Sequence, residues 1–293
     1  MSYPPPPPAQ PYFVSSGQPP PPGPGYAAYP PYPPPPDRGN AVYRPYSPPG
    51  EYQATTGPAN DSDDFAASGF DDKTIRRKFI SKVYAILTVQ LLVTMAFVCV
   101  FLFVQPVKYW VQRNMWFYWM SYAVFLVTYI TLACCPSIRR RVPGNYIALA
   151  VFTLAFSYLA GTITSAYSVN SVLICLIVTA SVTLTVSVAA IACPCDITKC
   201  QAMLAFLSIL LIIFGLVCTI VYFAAGYNSV LHAVYGGVAA IIFSIYLAYD
   251  TQMVIGGRRY ELSPEDYIFG ALQLYVDVVQ LFLSLLSLFG SHN

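Results

Sequence analysis

The chain has 293 residues, 56% of them hydrophobic and only 10% charged, where an ordinary soluble domain carries about 25% charged residues. Its mean hydropathy of +0.56 excludes such a domain and points to a polytopic membrane protein with the lipid bilayer as its solvent. The formal net charge of +2 names no partner by itself, and nucleic acid is not expected as one.

Residues 1–60 form one compositional block. Of the 26 prolines, 21 lie at or before Pro58, interleaved with Tyr, Gly and Ser. Such a segment cannot bury enough apolar surface to offset its ordering entropy, so it reads as a disordered tail with local polyproline II character. The run YPPYPPPP offers PxxP spacings suited to SH3-type partners, whereas no strict PPxY is present for a WW domain. The opening MSYPPPPPAQ has neither a basic n-region nor an apolar h-region, so the first span is expected to act as its own signal anchor. Residues 61–78 then pass from acidic to basic and end in Arg76, Arg77 and Lys78.

From residue 79 to 293 the pattern predicts an all-α domain of seven transmembrane helices. The apolar segments are 79–104, 115–133, 146–164, 171–192, 201–223, 231–255 and 267–289. Each is about the 20 residues that an α-helix needs to cross ~30 Å of hydrocarbon. TASVTLTVSV, residues 179–188, alternates with period two as a strand would. A membrane barrel would repeat that pattern along the whole chain. Its neighbours are continuous apolar runs, so it is assigned to a helix whose Ser and Thr make small contacts and interhelical hydrogen bonds.

Basic residues alternate across the loops. Arg76, Arg77, Lys78, Lys82, Arg139 to Arg141, Lys199, Arg258 and Arg259 fall on one side, and only Lys108 and Arg113 on the other. By the positive-inside rule the N-terminus is cytosolic and the C-terminus lumenal or extracellular. The sequon at Asn60 would then escape glycosylation.

The strongest chemical signal is a pair of acids inside the spans, Asp250 in LAYDTQ and Asp277 in LQLYVDVVQLF. An aspartate at a helix centre costs roughly 2.5–3.5 kcal/mol on insertion scales, so such residues face a bundle interior and mark ion or proton pathways. Gln273, Asp277, Gln280, Ser284, Ser287 and Ser291 step by four and three residues, which sets them on one helical face. That polar seam places the last helix at the centre of the bundle or along a cavity. Ser263 suits an N-cap, Pro264 the first helical position and Asp266 a capping box; Gly256 and Gly257 suit the end of the sixth helix. Asp250 lies five residues from its helix end and Asp277 thirteen from Pro264. The acids come level only if the connecting loop climbs back along the seventh helix.

Should they meet, two carboxylates a few ångströms apart cannot both ionise cheaply, and the pair can share a proton. Protonated, it can join two helices by a hydrogen bond; ionised, it repels and attracts cations. Ca²⁺ takes six to eight oxygen ligands, so two aspartates would make only a transient contact with it. A GxGD-type motif, which an intramembrane aspartyl protease requires, is absent at YVD, and the chain reads as a non-enzyme. CPCDITKC holds Cys193, Cys195 and Cys200, a poor zinc set without a histidine. Cys134 and Cys135, beside Arg139 to Arg141, are candidates for palmitoylation. His232 and His292 look incidental.

Taken together, FDDKTIRRKFISKVYAILTVQL, SYAVFLVTYITLACC with the following RRR, LAYDTQMVIGG and LSPEDYIFGALQLYVD resemble the transmembrane Bax-inhibitor-motif family, lifeguard branch. The resemblance covers about residues 70–289. It implies a seven-helix bundle with the last helix central and no cofactor. It also implies pH-sensitive Ca²⁺ leak across Golgi, endosomal, lysosomal or ER membranes, with suppression of cell death. The implied di-aspartyl proton sensor falls on Asp250 and Asp277. Bacterial relatives latch this sensor with an arginine on the second helix, and here 115–133 has neither Arg nor Lys. Two other readings stay open: a non-conducting scaffold whose Pro-rich tail recruits trafficking or death-regulating proteins, and a Ca²⁺/H⁺ exchanger.

Overall fold

The computed structural model describes residues 61–291, with side chains from residue 72 onward. The Pro-rich tail, its PxxP runs, the Asn60 sequon and His292 lie outside the described residues.

Nine α-helices follow one another among the described residues: α1 (Asp61–Phe103), α2 (Gln105–Arg113), α3 (Met115–Cys134), α4 (Pro136–Arg140), α5 (Gly144–Thr164), α6 (Val169–Ala192), α7 (Gln201–Ala225), α8 (Ser229–Ile255) and α9 (Tyr267–Phe289). Seven of them, all but α2 and α4, are long and apolar enough to cross a membrane. The expected spans match them to within a few residues. The period-two stretch of α6 is helical throughout. Its expected interhelical bonds are corrected in part. Ser181 and Thr185 donate instead to Ile177 O and Ser181 O of their own helix, at 2.9 and 2.8 Å. Both side chains face outward, where an i−4 carbonyl is the one acceptor within reach.

α9 is the hub. Its apolar residues Ile268, Leu272, Leu274, Tyr275, Leu281 and Leu286 are at most 1% exposed, and α1, α5, α6 and α8 all pack on it. α3 and α7 flank the bundle, α3 against α5 and α7 against α8, with most of their side chains turned outward. The sequence did not suggest α2. It is a nine-residue amphipathic piece with Pro106 in its first turn, on the end opposite the basic loops. Exposed Trp110, Trp116 and Trp119 there form an aromatic belt of the kind found at the membrane–water boundary.

The basic end is fastened by polar contacts. Asp266 does not complete a capping box. Ser263 caps a short 3₁₀ turn, Pro264–Asp266, and the Asp266 carboxylate instead accepts from Arg139 Nε at 2.9 Å, Arg140 Nε at 2.9 Å and Arg140 Nη2 at 2.7 Å. Two guanidinium groups outcompete a backbone amide for a carboxylate. Gly256 and Gly257 end α8 as expected, with φ of +79° and +73°. Next to them Arg76 spans three carbonyls, Ile255 O at 3.0 Å, Leu262 O at 2.6 Å and Met253 O at 2.8 Å. Gln252 joins the α6–α7 loop to α8: its amide donates to Ala190 O and Cys195 O, and its carbonyl accepts from the Ile197 N–H.

Candidate functional site

The α8–α9 hairpin sets the register of the two acids. The Leu262 N–H returns to Met253 O at 3.1 Å, and Gly270 sits against Val254 and Leu262. The first turn of α9 therefore stands beyond the end of α8, and the loop climbs along it. Seven residues separate Gly270 from Asp277 and four separate Asp250 from Val254, which leaves about 4.5 Å of helix rise between the acids. Side chains bridge that gap, and the two carboxyl groups lie within hydrogen-bond reach of each other.

The pair is enclosed. Asp250 is 2% exposed and Asp277 is 4% exposed. Among the described residues, no donor outside the pair hydrogen-bonds Asp250 Oδ1, Asp250 Oδ2 or Asp277 Oδ2. Among the described residues, every ion pair formed lies at the basic end, and none includes Asp250 or Asp277. A hydrogen bond between two carboxyl groups needs a proton on one of them. In this apolar setting a shared proton would meet part of their polar demand.

Other seam residues are spread along α9. Gln273 is half-buried, and its Oε1 accepts from Tyr129 Oη at 3.4 Å. Ser284 turns back to Gln280 O at 2.6 Å, and Ser287 donates to His232 O at 3.1 Å. Ser291 meets Ser168 and Ser171 at the far end. His232 is less incidental than expected, because its ring pairs with Tyr167 Oη at 3.2 Å. Cys134 is exposed and Cys135 half-buried at the end of α3. Among the described residues no group of three or more His, Cys, Asp or Glu is placed to hold a metal ion, which includes the cysteines of CPCDITKC.

Sequence reasoning missed two sets of residues. The first is a buried hydroxyl network that meets α9 at Tyr275, two residues before Asp277. Tyr275 Oη lies 2.7 Å from Thr94 Oγ1 and 3.3 Å from Ser157 Oγ, and Gln90 Nε2 donates to Thr153 Oγ1 at 2.9 Å. The signal was present: Gln90 and Thr94 on α1, and Thr153 and Ser157 on α5, are i, i+4 pairs that share a face. The second is Tyr129. It comes from the helix without any Arg or Lys, stacks near Phe125 and Phe152, and lies within electrostatic range of both acids. α3 thus reaches the central helix through a neutral hydroxyl.

A bundle of seven membrane helices around a central α9, with a carboxyl pair in its hairpin, is the architecture the motifs implied. Residues 76–293 match the family described as "Inhibitor of apoptosis-promoting Bax1", and the chain belongs to this Bax inhibitor family of multi-pass membrane proteins. Protein lifeguard 3 of Homo sapiens is 45% identical over 232 residues, covering 79% of this chain and 74% of the relative. Protein lifeguard 3 of Mus musculus is 46% identical over 232 residues, covering 79% and 75%. Bax inhibitor 1 of Schizosaccharomyces pombe is 29% identical over 219 residues, covering 74% and 78%.

Proposed function

We propose that this protein is a pH-sensitive Ca²⁺ leak channel of intracellular membranes, gated by the Asp250–Asp277 pair, which lowers stored Ca²⁺ and opposes apoptosis. The observation that carries this reading is the buried carboxyl pair, which among the described residues has no cation beside it and no hydrogen-bond donor outside the pair. While the pair holds a proton, its hydrogen bond joins α8 to α9 and the path is shut. Once the proton leaves, two adjacent carboxylates repel, the helices part, and a cation entering the gap is attracted. Flux therefore rises as pH rises through the titration of the pair. The basic end of the bundle is assigned to the cytosol by its positive charge, and the membrane to the Golgi, endosome, lysosome or ER.

Purified protein in liposomes loaded with a Ca²⁺ indicator tests this. Wild-type flux should rise with pH along a one-proton curve. Asp250→Asn and Asp277→Asn each leave a single ionisable carboxyl group beside a neutral amide, so two like charges can no longer oppose each other and the curve should flatten. Unchanged flux–pH curves for both variants would sink the sensor. No flux at any pH would leave a non-conducting scaffold, and obligatory proton counter-transport would make the protein an exchanger.

Tyr129→Phe should retain flux but move the midpoint of that curve by up to about one pH unit. The hydroxyl contributes a hydrogen bond worth about 1 kcal/mol, and one unit corresponds to 1.36 kcal/mol. A midpoint identical to wild type would mean that the Tyr129–Gln273 contact takes no part in gating.

A further inference from the structure

The α6–α7 loop contains a feature that the channel reading does not use. Cys193 and Cys195 flank Pro194 just past the end of α6. The Cys195 N–H donates to Cys193 Sγ at 3.3 Å, and the two thiols are themselves within hydrogen-bond reach. Three successive carbonyls of this turn are held. Arg258 donates to Cys193 O at 2.6 Å and to Pro194 O at 3.0 Å, and Gln252 Nε2 donates to Cys195 O at 2.9 Å. The turn is thus rigid, with its sulfur atoms facing each other. Cys195 is exposed and Cys193 half-buried, so a small thiol reagent can reach them.

We propose that Cys193 and Cys195 form a redox-active dithiol, in which Cys193 is the attacking thiol and Cys195 the resolving one. The Cys195 thiol and amide both donate to the Cys193 sulfur, and with the Arg258 charge nearby they hold the Cys193 thiol below its ordinary range. The Cys195 thiol, acting as donor to that sulfur, is held above it. The remaining charged groups around the turn are occupied. Asp196 takes the Thr198 hydroxyl and the Arg259 N–H, and Lys199 pairs with Asp196. A thiolate stabilised by hydrogen bonds and a cation, beside a second thiol, is the arrangement of reactive rather than structural cysteines.

The oxidant is a small-molecule disulfide of the glutathione type. The Cys193 thiolate attacks one of its sulfur atoms, a mixed disulfide forms, and one small thiolate leaves. Cys195 then loses its proton to solvent and attacks Cys193 Sγ, and the second small thiolate leaves. The protein dithiol has lost two electrons, and the reagent has been reduced to two thiols. The reaction places the turn among the transient, sensing disulfides of reducing compartments. Closure alters a turn whose last carbonyl is bonded to Gln252, two residues beyond Asp250, so the redox state of the loop is transmitted to α8.

The test uses the full-length protein in detergent, treated with oxidised glutathione and then alkylated, with peptides read by mass. Because the readout is chemical, it stands or falls independently of whether the protein conducts. Wild type should yield a peptide two mass units light, carrying the Cys193–Cys195 bond. Cys195→Ala should trap glutathione on Cys193, and Cys193→Ala should leave Cys195 largely unmodified. In reduced protein, alkylation of Cys193 should reach half its maximal rate at a lower pH in wild type than in Cys195→Ala. The proposal is overturned if oxidation spares the pair while modifying other cysteines, or if both single variants are glutathionylated equally. It is also overturned if the Cys193 alkylation profile ignores the loss of Cys195.

Discussion

Replacing Arg76 with alanine should destabilise the detergent-solubilised protein by about 3 kcal/mol and lower its thermal midpoint by roughly 6–12 °C. The guanidinium is three-point bonded to Ile255 O, Leu262 O and Met253 O, and hydrogen bonds to a charged donor each contribute about 1.5–3 kcal/mol. Met253 O keeps the Leu262 N–H, so the loss falls mainly on the other two carbonyls. Ile255 O lies at the α8 terminus, where helix carbonyls lack intrahelical partners. The nearby Glu261, 3.9 Å away and 53% exposed, adds little, as exposed pairs do. Arg76→Lys should recover only part of the loss, because an ammonium cannot reproduce the planar fork. Arg77→Ala, one residue along and exposed, is the control and should unfold with wild type. Equal midpoints for the Arg76 and Arg77 variants would dismiss the clamp. Gly256 belongs to the same device: a β-carbon there would lie 2.3 Å from Arg76 Nη2, on backbone with φ of +79°. The glycine both turns the chain and leaves room for the arginine.

At the other end of the hairpin, Gly236→Ala should cost about 1–3 kcal/mol, the usual penalty for overpacking. A β-carbon at Gly236 would lie 2.7 Å from Ser284 O and 2.9 Å from Leu288 N. Both are backbone atoms of α9 and cannot rotate away, so the helices must separate. The adjacent Gly237 supplies the contrast. Its β-carbon would meet only Leu288 methyl groups, at 3.6 and 3.8 Å, which is ordinary contact. Gly237→Ala should be neutral, or gain up to about 1 kcal/mol of helix propensity. Thermal unfolding of the two variants side by side decides the point, and equal midpoints would remove the close approach from the account. Small residues that admit a neighbouring backbone are a common means of joining helices in lipid. Gly236 precedes Asp250 by 14 residues, about 21 Å along α8. The hairpin that carries the acids is therefore held at both ends, by a polar clamp and by a steric one.

Much of this architecture was legible in the sequence because lipid imposes strong constraints on composition. Seven apolar runs gave seven helices, Gly256 and Gly257 ended α8, and the four-three spacing from Gln273 to Ser291 marked α9 as the helix that could not face lipid. What stayed hidden depended on which faces meet. Asp266 looked like a capping residue because its local neighbours suit one, yet its partners Arg139 and Arg140 lie over 120 residues away. Ser181 and Thr185 looked like interhelical donors, but their face of α6 is exposed. Tyr129 was invisible among the many aromatics of α3 until the helices were placed around α9. The register of Asp250 and Asp277 was open for the same reason, since the loop between them could climb or not climb with equal chemistry.

The position of α9 has a consequence for biogenesis. It is the last of the seven spans in chain order, yet it fills the interior formed by α1, α5, α6 and α8. Until it emerges from the ribosome, those helices have no common partner. The buried Asp250 carboxyl group then lacks Asp277, the partner it has in the finished protein. The last span to be made is thus the one that the other helices share as a core. Quality control that monitors unpaired polar groups within the bilayer would have its clearest view of this protein in the interval before α9 arrives.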